Sequence, residues 1–269
     1  NTCAIRDDGE LRCWGERQCD EEWPLEVAET GRWISIAVGP HHTCAIRTDG
    51  KLFCWGDCPS RSCNFPMVAG GRWSSVATGQ AHTCGITADG ELRCWGQDEY
   101  GQCQVPMLAG GWTSVVAGNR HTCGIRADGE LVCWGKGCWY GCDRGGDRYA
   151  YQAPRESWRW SFLMAAGVLT CGIRVDGELH CWDYTASDLG PPVKAASQWR
   201  WSAVAMERDS SHFCGITVDG ELRCWGENRE IPEVAGRWSA VAGGDSQTCG
   251  INENTLLCWG RGAVSRRFL

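Results

Sequence analysis

Residues 3–15, CAIRDDGELRCWG, decide the fold, because six further versions of this stretch follow along the chain. They are CAIRTDGKLFCWG from Cys44, CGITADGELRCWG from Cys84, CGIRADGELVCWG from Cys123, CGIRVDGELHCWD from Cys171, CGITVDGELRCWG from Cys214 and the shorter CGINENTLLCWG from Cys249. Successive first cysteines stand 41, 40, 39, 48, 43 and 35 residues apart, so one structural unit has been repeated along the whole chain. Within each copy the apolar residues alternate on either side of a central turn, the two-residue period of a half-buried strand. Each copy therefore predicts a β-hairpin, at 3–15, 44–56, 84–96, 123–135, 171–183, 214–226 and 249–260.

In the first copy, Cys3 opposite Cys13 puts Ile5 opposite Leu11 and leaves Asp7, Asp8 and Gly9 as a three-residue loop. That length suits a type I turn closed by a glycine at positive φ. The seventh copy has lost one residue and its glycine. Holding Cys249 opposite Cys258 now leaves a two-residue Glu253-Asn254 loop, with Asn254 the residue suited to positive φ.

A second element recurs as Trp33-Ile34-Ser35-Ile36-Ala37 and again from Trp73, Trp112, Trp160, Trp201 and Trp238. From this Trp to the next hairpin the distance is 11 residues, or 13 from Trp201, whereas from a hairpin's second Cys to the following Trp it runs from 14 to 27. Constant spacing marks packed structure and variable spacing a surface loop. Three strands per unit make a sheet that cannot bury both faces alone, but seven arranged radially can. The expected fold is all-β, a seven-bladed β-propeller of three- to four-stranded antiparallel blades in a single domain over 1–269. Small residues such as Ala77, Gly79, Ala117 and Gly118 suit a crowded inner strand, and the Trp of Cys-Trp-Gly suits the packing between blades. The proline-containing segments 65–67, 105–107 and 231–233 are the expected places for a short fourth, edge strand. Seven hairpins against six Trp strands leave one blade incomplete, with Ala263-Val264-Ser265 a poor substitute; the chain is expected to be a processed or partial product.

His42-Thr43-Cys44-Ala45-Ile46, the Asp-Gly turns and Cys-Trp-Gly resemble the repeats of the regulator of chromosome condensation superfamily over almost the whole chain. The resemblance implies a seven-bladed propeller and is poor for function, since that superfamily includes a nucleotide exchange factor, a bacterial β-lactamase inhibitor protein and plant receptor-kinase ectodomains. The short repeat is more similar to the inhibitor-like and receptor-like branches. No basic N-terminal arm is present, so no exchange-factor or chromatin-binding residue carries over.

Thirty-three acidic against 26 basic residues give a net charge of −7, with no general attraction to nucleic acid or anionic lipid. No apolar run reaches the roughly 18 residues of a membrane span. The 20 cysteines divide into seven facing hairpin pairs and six others. The pairs are Cys3–Cys13, Cys44–Cys54, Cys84–Cys94, Cys123–Cys133, Cys171–Cys181, Cys214–Cys224 and Cys249–Cys258. Facing positions hold Cβ atoms about 4.5–5.5 Å apart, close to what a disulfide requires. The loop cysteines are assigned as Cys58–Cys63, Cys138–Cys142 and the residual Cys19–Cys103. This reading implies an oxidising compartment, extracellular or lumenal. The alternative, small buried hydrophobes in a reduced cytosol, gives the loop cysteines no role. A zinc reading of Cys58/Cys63 and Cys138/Cys142 lacks nearby His ligands.

His42, His82 and His121 hold equivalent positions, which invites a metal ring. The same position in the other units holds Asn1, Leu169, His212 in a shifted register and Gln247, a pattern that fits a residue bonding backbone at a blade edge, and no metal is expected. Asp8, Asp49, Asp89, Asp128, Asp176 and Asp219 line one rim and invite glycoside hydrolysis, but each has a turn-forming reason to exist. No nucleophile elbow or phosphate loop occurs; no catalytic residue and no cofactor are assigned.

Departures from the repeat carry more information. The longest loop holds Trp139, Tyr140, Arg144, Arg148, Tyr149, Tyr151 and Trp158, the residue types that dominate binding hot spots, though they would also serve to cover the edge of blade four. In the fifth unit Asp183 replaces glycine and Tyr184 follows; 206–211 adds two residues. The sequence reads as a non-catalytic protein–protein interaction or assembly module, secreted or lumenal, an accessory subunit of a larger complex. It would have protein partners, with no nucleic acid, membrane insertion or small-molecule ligand. An enzyme-inhibitor propeller acting through one rim and a carbohydrate-binding module are the alternatives.

Overall fold

The computed structural model describes residues 2–14, 31–56, 71–136, 158–183, 188–190, 198–207, 212–226, 234–244, 246–253 and 255–260. The chain divides into two compact units, Asn1–Ala153 and Pro154–Leu269. In the first unit, β1 (Thr2–Ile5) pairs with β2 (Leu11–Trp14). The next three sheets are β3 (Trp33–Val38), β4 (His42–Arg47) and β5 (Leu52–Gly56); β6 (Trp73–Thr78), β7 (His82–Thr87) and β8 (Leu92–Gly96); β9 (Trp112–Ala117), β10 (His121–Arg126) and β11 (Leu131–Gly135). In the second unit the sheets are β12 (Trp160–Ala166), β13 (Leu169–Arg174), β14 (Leu179–Asp183) and β15 (Asp188–Gly190); β16 (Trp201–Met206), β17 (His212–Thr217) and β18 (Leu222–Gly226); β19 (Trp238–Gly243), β20 (Gln247–Asn252) and β21 (Thr255–Gly260). These seven antiparallel sheets are the blades of a β-propeller, and the first has two strands among the described residues.

Each blade is a Trp strand followed by a hairpin, in the expected register. Cys3 faces Cys13 and Ile5 faces Leu11, with the same pairing in every later copy. The turns close as type I loops: the Gly9 amide donates to Arg6 O at 2.8 Å, and Gly9, Gly50, Gly90, Gly129, Gly177 and Gly220 lie at φ of 82–85°. In the seventh blade Asn252 pairs with Thr255, so the two-residue loop forms; Glu253 takes a φ of 43°. The sequence pointed to Asn254 as the left-handed residue, and Asn254 lies outside the described residues. The tight hairpin demands positive φ at its first central position too, so Glu253 takes it without the help of a glycine.

The Trp strands carry a bulge that strand alternation does not reveal. In β6 the register shifts between Trp73 and Ser75, leaving Ser74 unpaired, and the Ser74 hydroxyl turns back to Ile86 O and Thr87 O at 3.1 Å. Ser161 and Ser202 do the same in their own blades, and Thr113 and Ser239 reach Ile125 O and Ile251 O. Blade two places Ile34 there, and it is exposed.

The two faces of a blade differ. Trp73, Val76 and Trp95 share one face with Gly85 of the middle strand, where the Trp73 and Trp95 rings meet at 5.7 Å. A Cβ on Gly85, Gly124, Gly172, Gly215 or Gly250 would fall 2.5–2.7 Å from the indole of its own blade's first Trp, whereas blade two accommodates Ala45 at this place. The other face carries the disulfide with Ile and Leu. Consecutive blades stack disulfide face on tryptophan face: Cys44, Ile46 and Leu52 pack against Trp73, Val76 and Trp95, and Cys84, Ile86 and Leu92 against Trp112, Val115 and Trp134. In the second unit Cys171, Ile173 and Leu179 pack on Trp201 and Val204, and Cys214 and Ile216 on Trp238 and Trp259. The sulfurs are core atoms of the inter-blade layer.

The fourth strand corrects an expectation. Among the described residues it occurs only in blade five, as β15 against β14. Residues 105–107 form no strand, because their surroundings are tied into tight turns: Val105 N donates to Cys103 O and Leu108 N to Pro106 O, at 3.0 and 2.9 Å. The segments 65–67 and 231–233 lie outside the described residues.

Candidate functional site

All seven hairpin disulfides are present, with Cα separations of 4.0–4.1 Å, the narrow spacing of a non-hydrogen-bonded antiparallel pair. Cys103 is a correction. It is a free thiol, not half of a Cys19–Cys103 bridge. Its backbone amide donates to Asp98 Oδ1 at 2.8 Å and its Sγ to Gln97 O at 3.3 Å, so the 97–104 turn holds the sulfur inward; burial, with Asp98 nearby, pushes the thiol pKa up to about 12. Cys19, Cys58, Cys63, Cys138 and Cys142 lie outside the described residues.

The repeated polar residues have structural employment. Asp8, Asp49, Asp128 and Asp176 each accept the amide of the residue two further on, at 3.0–3.1 Å. In the third and sixth blades Thr87 and Thr217 perform this task at 3.1 Å through their hydroxyls. The blades with Asp in that role carry Arg6, Arg47, Arg126 and Arg174, which pair with the acids of their own turn. The Arg47 guanidinium, with the Lys51 amide, holds Asp49 down at about 2. At the same end of the blade, the turn glycine's carbonyl accepts the first Trp amide of the following blade: Gly9 from Trp33, Gly50 from Trp73, Gly90 from Trp112, Gly177 from Trp201 and Gly220 from Trp238, all at 2.8–2.9 Å.

The histidines form a second inter-blade link at the opposite end, which replaces the expected backbone bond. His42 Nε2 meets Thr83 Oγ1 at 2.8 Å and His82 Nε2 meets Thr122 Oγ1 at 3.0 Å, each in the next blade. Thr122 spends its own proton on Gln102 O at 2.8 Å, so His82 donates from Nε2. Burial, above all, lowers the pKa of His82 to about 3 and of His42 and His121 to about 4. A Cβ on Gly79 would collide with the His82 ring. Blade six has Glu207 at that glycine's place, and its chemistry changes accordingly. Glu207 accepts the Thr248 hydroxyl of the next blade at 3.3 Å, while the His212 ring sits 3.3 Å from Cys214 Sγ. His212 keeps the ordinary register, opposite Gly226, so the two added residues lie upstream of the strand. His212, Cys214 and Cys224 gather within 4.8 Å, yet both sulfurs are in a disulfide and neither is a thiolate ligand.

Of the residues singled out for binding, Asp183 sits at the end of β14 opposite Leu169, where other blades place glycine opposite histidine. Trp139, Tyr140, Arg144, Arg148, Tyr149, Tyr151 and Tyr184 lie outside the described residues. Trp158 is placed on its own blade: its ring stacks 4.6 Å from His180, with Arg174 4.6 Å over it. Trp199 in the next blade meets Arg223 in the same way, at 4.5 Å. Sequence reading missed a third aromatic–cation group. The 97–104 turn is anchored on blade four, where Gln102 O accepts from both Thr122 and Trp134 Nε1. The Gln102 side chain accepts the Tyr100 amide at 2.9 Å. Tyr100 is thereby fixed with Arg120 Cζ and Lys136 Nζ each 4.9 Å from its ring centre. No period signals this group, because its members come from three separate segments.

The model of the regulator of chromosome condensation (RCC1) repeat matches 33–59, 73–102, 112–142 and 210–230. Over these segments the chain carries repeats of the RCC1 type, on a β-propeller fold. Its fold is similar to the ectodomain of the Physcomitrella patens receptor kinase CR4, with a TM-score of 0.71 and 21% identity over 97% of this chain and 70% of that one. It is similar too to the CRINKLY WD40 ectodomain of the Arabidopsis thaliana receptor kinase ACR4, with 0.70 and 20% over 99% and 93%. Yeast RCC1 (Prp20), solved with Kap60 bound, gives 0.65 and 18% over 86% and 70%. No curated protein matches the chain by sequence. The RCC1 repeat match thus covers four of the hairpins and three of the Trp strands.

Proposed function

We propose that this RCC1-like propeller is a non-catalytic protein-binding module of an oxidising compartment, extracellular or lumenal, that serves as an accessory subunit. One observation carries the reading: fourteen cysteines form seven bridges in the layers between blades, while the repeated Asp, Thr and His side chains hold turns and neighbouring blades together. A scaffold so occupied leaves recognition to the segments that break the repeat. Two of the similar folds are receptor ectodomains and a third was solved with a bound protein, which supports a protein partner outside the cytosol. The partner surface is assigned to Trp139, Tyr140, Arg144, Arg148, Tyr149 and Tyr151 with Asp183 and Tyr184.

Cross-linking and co-purification of the secreted chain test this directly. Partner recovery should be lost in the Trp139→Ala/Tyr149→Ala double variant with its unfolding transition unchanged. Equal recovery removes the surface from the proposal. Hairpin cysteines found reduced in protein from its natural source would remove the compartment.

A further inference from the structure

Blade six turns an imidazole onto its own disulfide. His212 Nε2 lies 3.3 Å from Cys214 Sγ, and since a disulfide sulfur carries no proton, the ring is the donor. In blades two and three the equivalent rings, His42 and His82, direct Nε2 to Thr83 and Thr122 of the next blade. In blade six Glu207 accepts the following threonine, Thr248, in the imidazole's stead. Access to the bond is one-sided. Cys214, on the middle strand, is fully buried, whereas Cys224 on the edge strand β18 is half-buried. The second sulfur of blade five, Cys181, lies opposite Gly190 of β15 and is fully buried, and those of blades four and seven, Cys133 and Cys258, are buried as well.

We propose that Cys214–Cys224 is a thiol–disulfide exchange site, attacked at Cys224 by the thiolate of a small thiol, with His212 holding the negative charge that forms on Cys214. Exchange is governed by access to the attacked sulfur and by how well the leaving sulfur bears charge. The half-buried Cys224 supplies the first condition. The imidazole N–H supplies the second, since a hydrogen bond to a charged acceptor is roughly twice as strong as one to a neutral acceptor. The attacking thiolate forms a bond to Cys224 Sγ, the Cys214–Cys224 bond breaks, and its electron pair passes to Cys214 Sγ. A second thiolate then bonds to the sulfur of the first and releases Cys224. Two thiol molecules are oxidised to one disulfide, and the protons they lose are regained, through water, by Cys214 and Cys224. Blades two and three meet only the first condition. Cys44 and Cys84 are fully buried and Cys54 and Cys94 half-buried, as in blade six, but among the described residues neither Cys44 nor Cys84 accepts from an imidazole. Cys84 Sγ has Thr122 Oγ1 at 3.8 Å, and that hydroxyl's proton goes to Gln102 O.

The test uses the purified full chain and no partner, so its outcome is independent of the partner surface. Folded protein is exposed to dithiothreitol, sampled over time, blocked with N-ethylmaleimide and mapped by peptide mass spectrometry. Label at Cys214 and Cys224 should appear several-fold faster than at Cys44 and Cys54 or at Cys84 and Cys94, whose exposure matches; Cys3–Cys13, half-buried at both sulfurs, is not a matched control. With reduced glutathione and acid quenching, the mixed disulfide should sit on Cys224. His212→Gln should slow blade six to the rate of blades two and three. A blade-six rate no faster than the two controls, an advantage retained in His212→Gln, or a glutathione adduct on Cys214 overturns the proposal. The wild-type rate ratio and the adduct position need no variant, so they decide the matter even if His212→Gln fails to fold.

Discussion

Gly124 sits where a single methyl group would strike the Trp112 indole at 2.7 Å, whereas the same addition at Gly111 meets only ordinary contacts at 3.6 Å and beyond. Gly124→Ala is therefore expected to destabilise the chain by about 1–3 kcal/mol, the range for overpacking a filled site. Gly111→Ala should be neutral or stabilising by up to about 1 kcal/mol, through the unfolded chain. Guanidinium unfolding of the two variants side by side checks the contrast; equal effects would sink it. The buried histidines predict a pH dependence of definite sign. His42, His82 and His121 are held near 4, 3 and 4 in the fold against 6.5 ordinarily, so between these values the unfolded chain binds protons that the folded chain refuses. Stability is full above pH 6.5 and falls as pH drops toward 4, by up to about 1.4 kcal/mol per pH unit for each imidazole. His42→Gln should flatten the profile by one imidazole's share, measured from unfolding free energies between pH 6.5 and 5.

Strand β3 offers the plainest test of the bulge. The adjacent β6 places the Ser74 hydroxyl on the unpaired residue to bond two carbonyls of the middle strand, and β3 places the exposed Ile34 there. Ile34→Ser should stabilise by about 0.5–1.5 kcal/mol, the usual net worth of such a bond, and Ser74→Ala should lose a similar amount, both read from thermal melts. The hairpins themselves were readable in the amino-acid string down to the facing cysteines, because alternation and an Asp-Gly turn are local and leave one register. The bulge was not, since an unpaired Ser or Thr does not disturb the apolar period. Nor were the His–Thr bonds, whose acceptor lies some forty residues away in another copy, or the exchange of His212 for Glu207 as partner of the following threonine. Cys103 misled for a related reason: parity among cysteines suggests a partner, but the contacts that turn the sulfur inward come from within the loop, from the Asp98 carboxylate and the Gln97 carbonyl.

With Cys103 unbridged, twenty cysteines cannot all pair within the chain, so at least one other is unpaired as well. Intact mass of denatured, unreduced protein treated with iodoacetamide should show at least two added groups, and the native protein should take up label at Cys103 slowly, given its raised pKa. A chain with no addition would restore the bridge that the structure lacks. The propeller owes its cohesion to three contacts, repeated between neighbours within each unit: sulfur against indole, turn carbonyl against Trp amide, and His or Glu against Thr. These contacts have a direction, since the front of a blade never matches the front of another. A unit copied in tandem arrives with both complementary surfaces already made, so repeats could be gained or lost during descent without any interface having to be reinvented. No pairwise contact in such an arrangement encodes how many members the array should have.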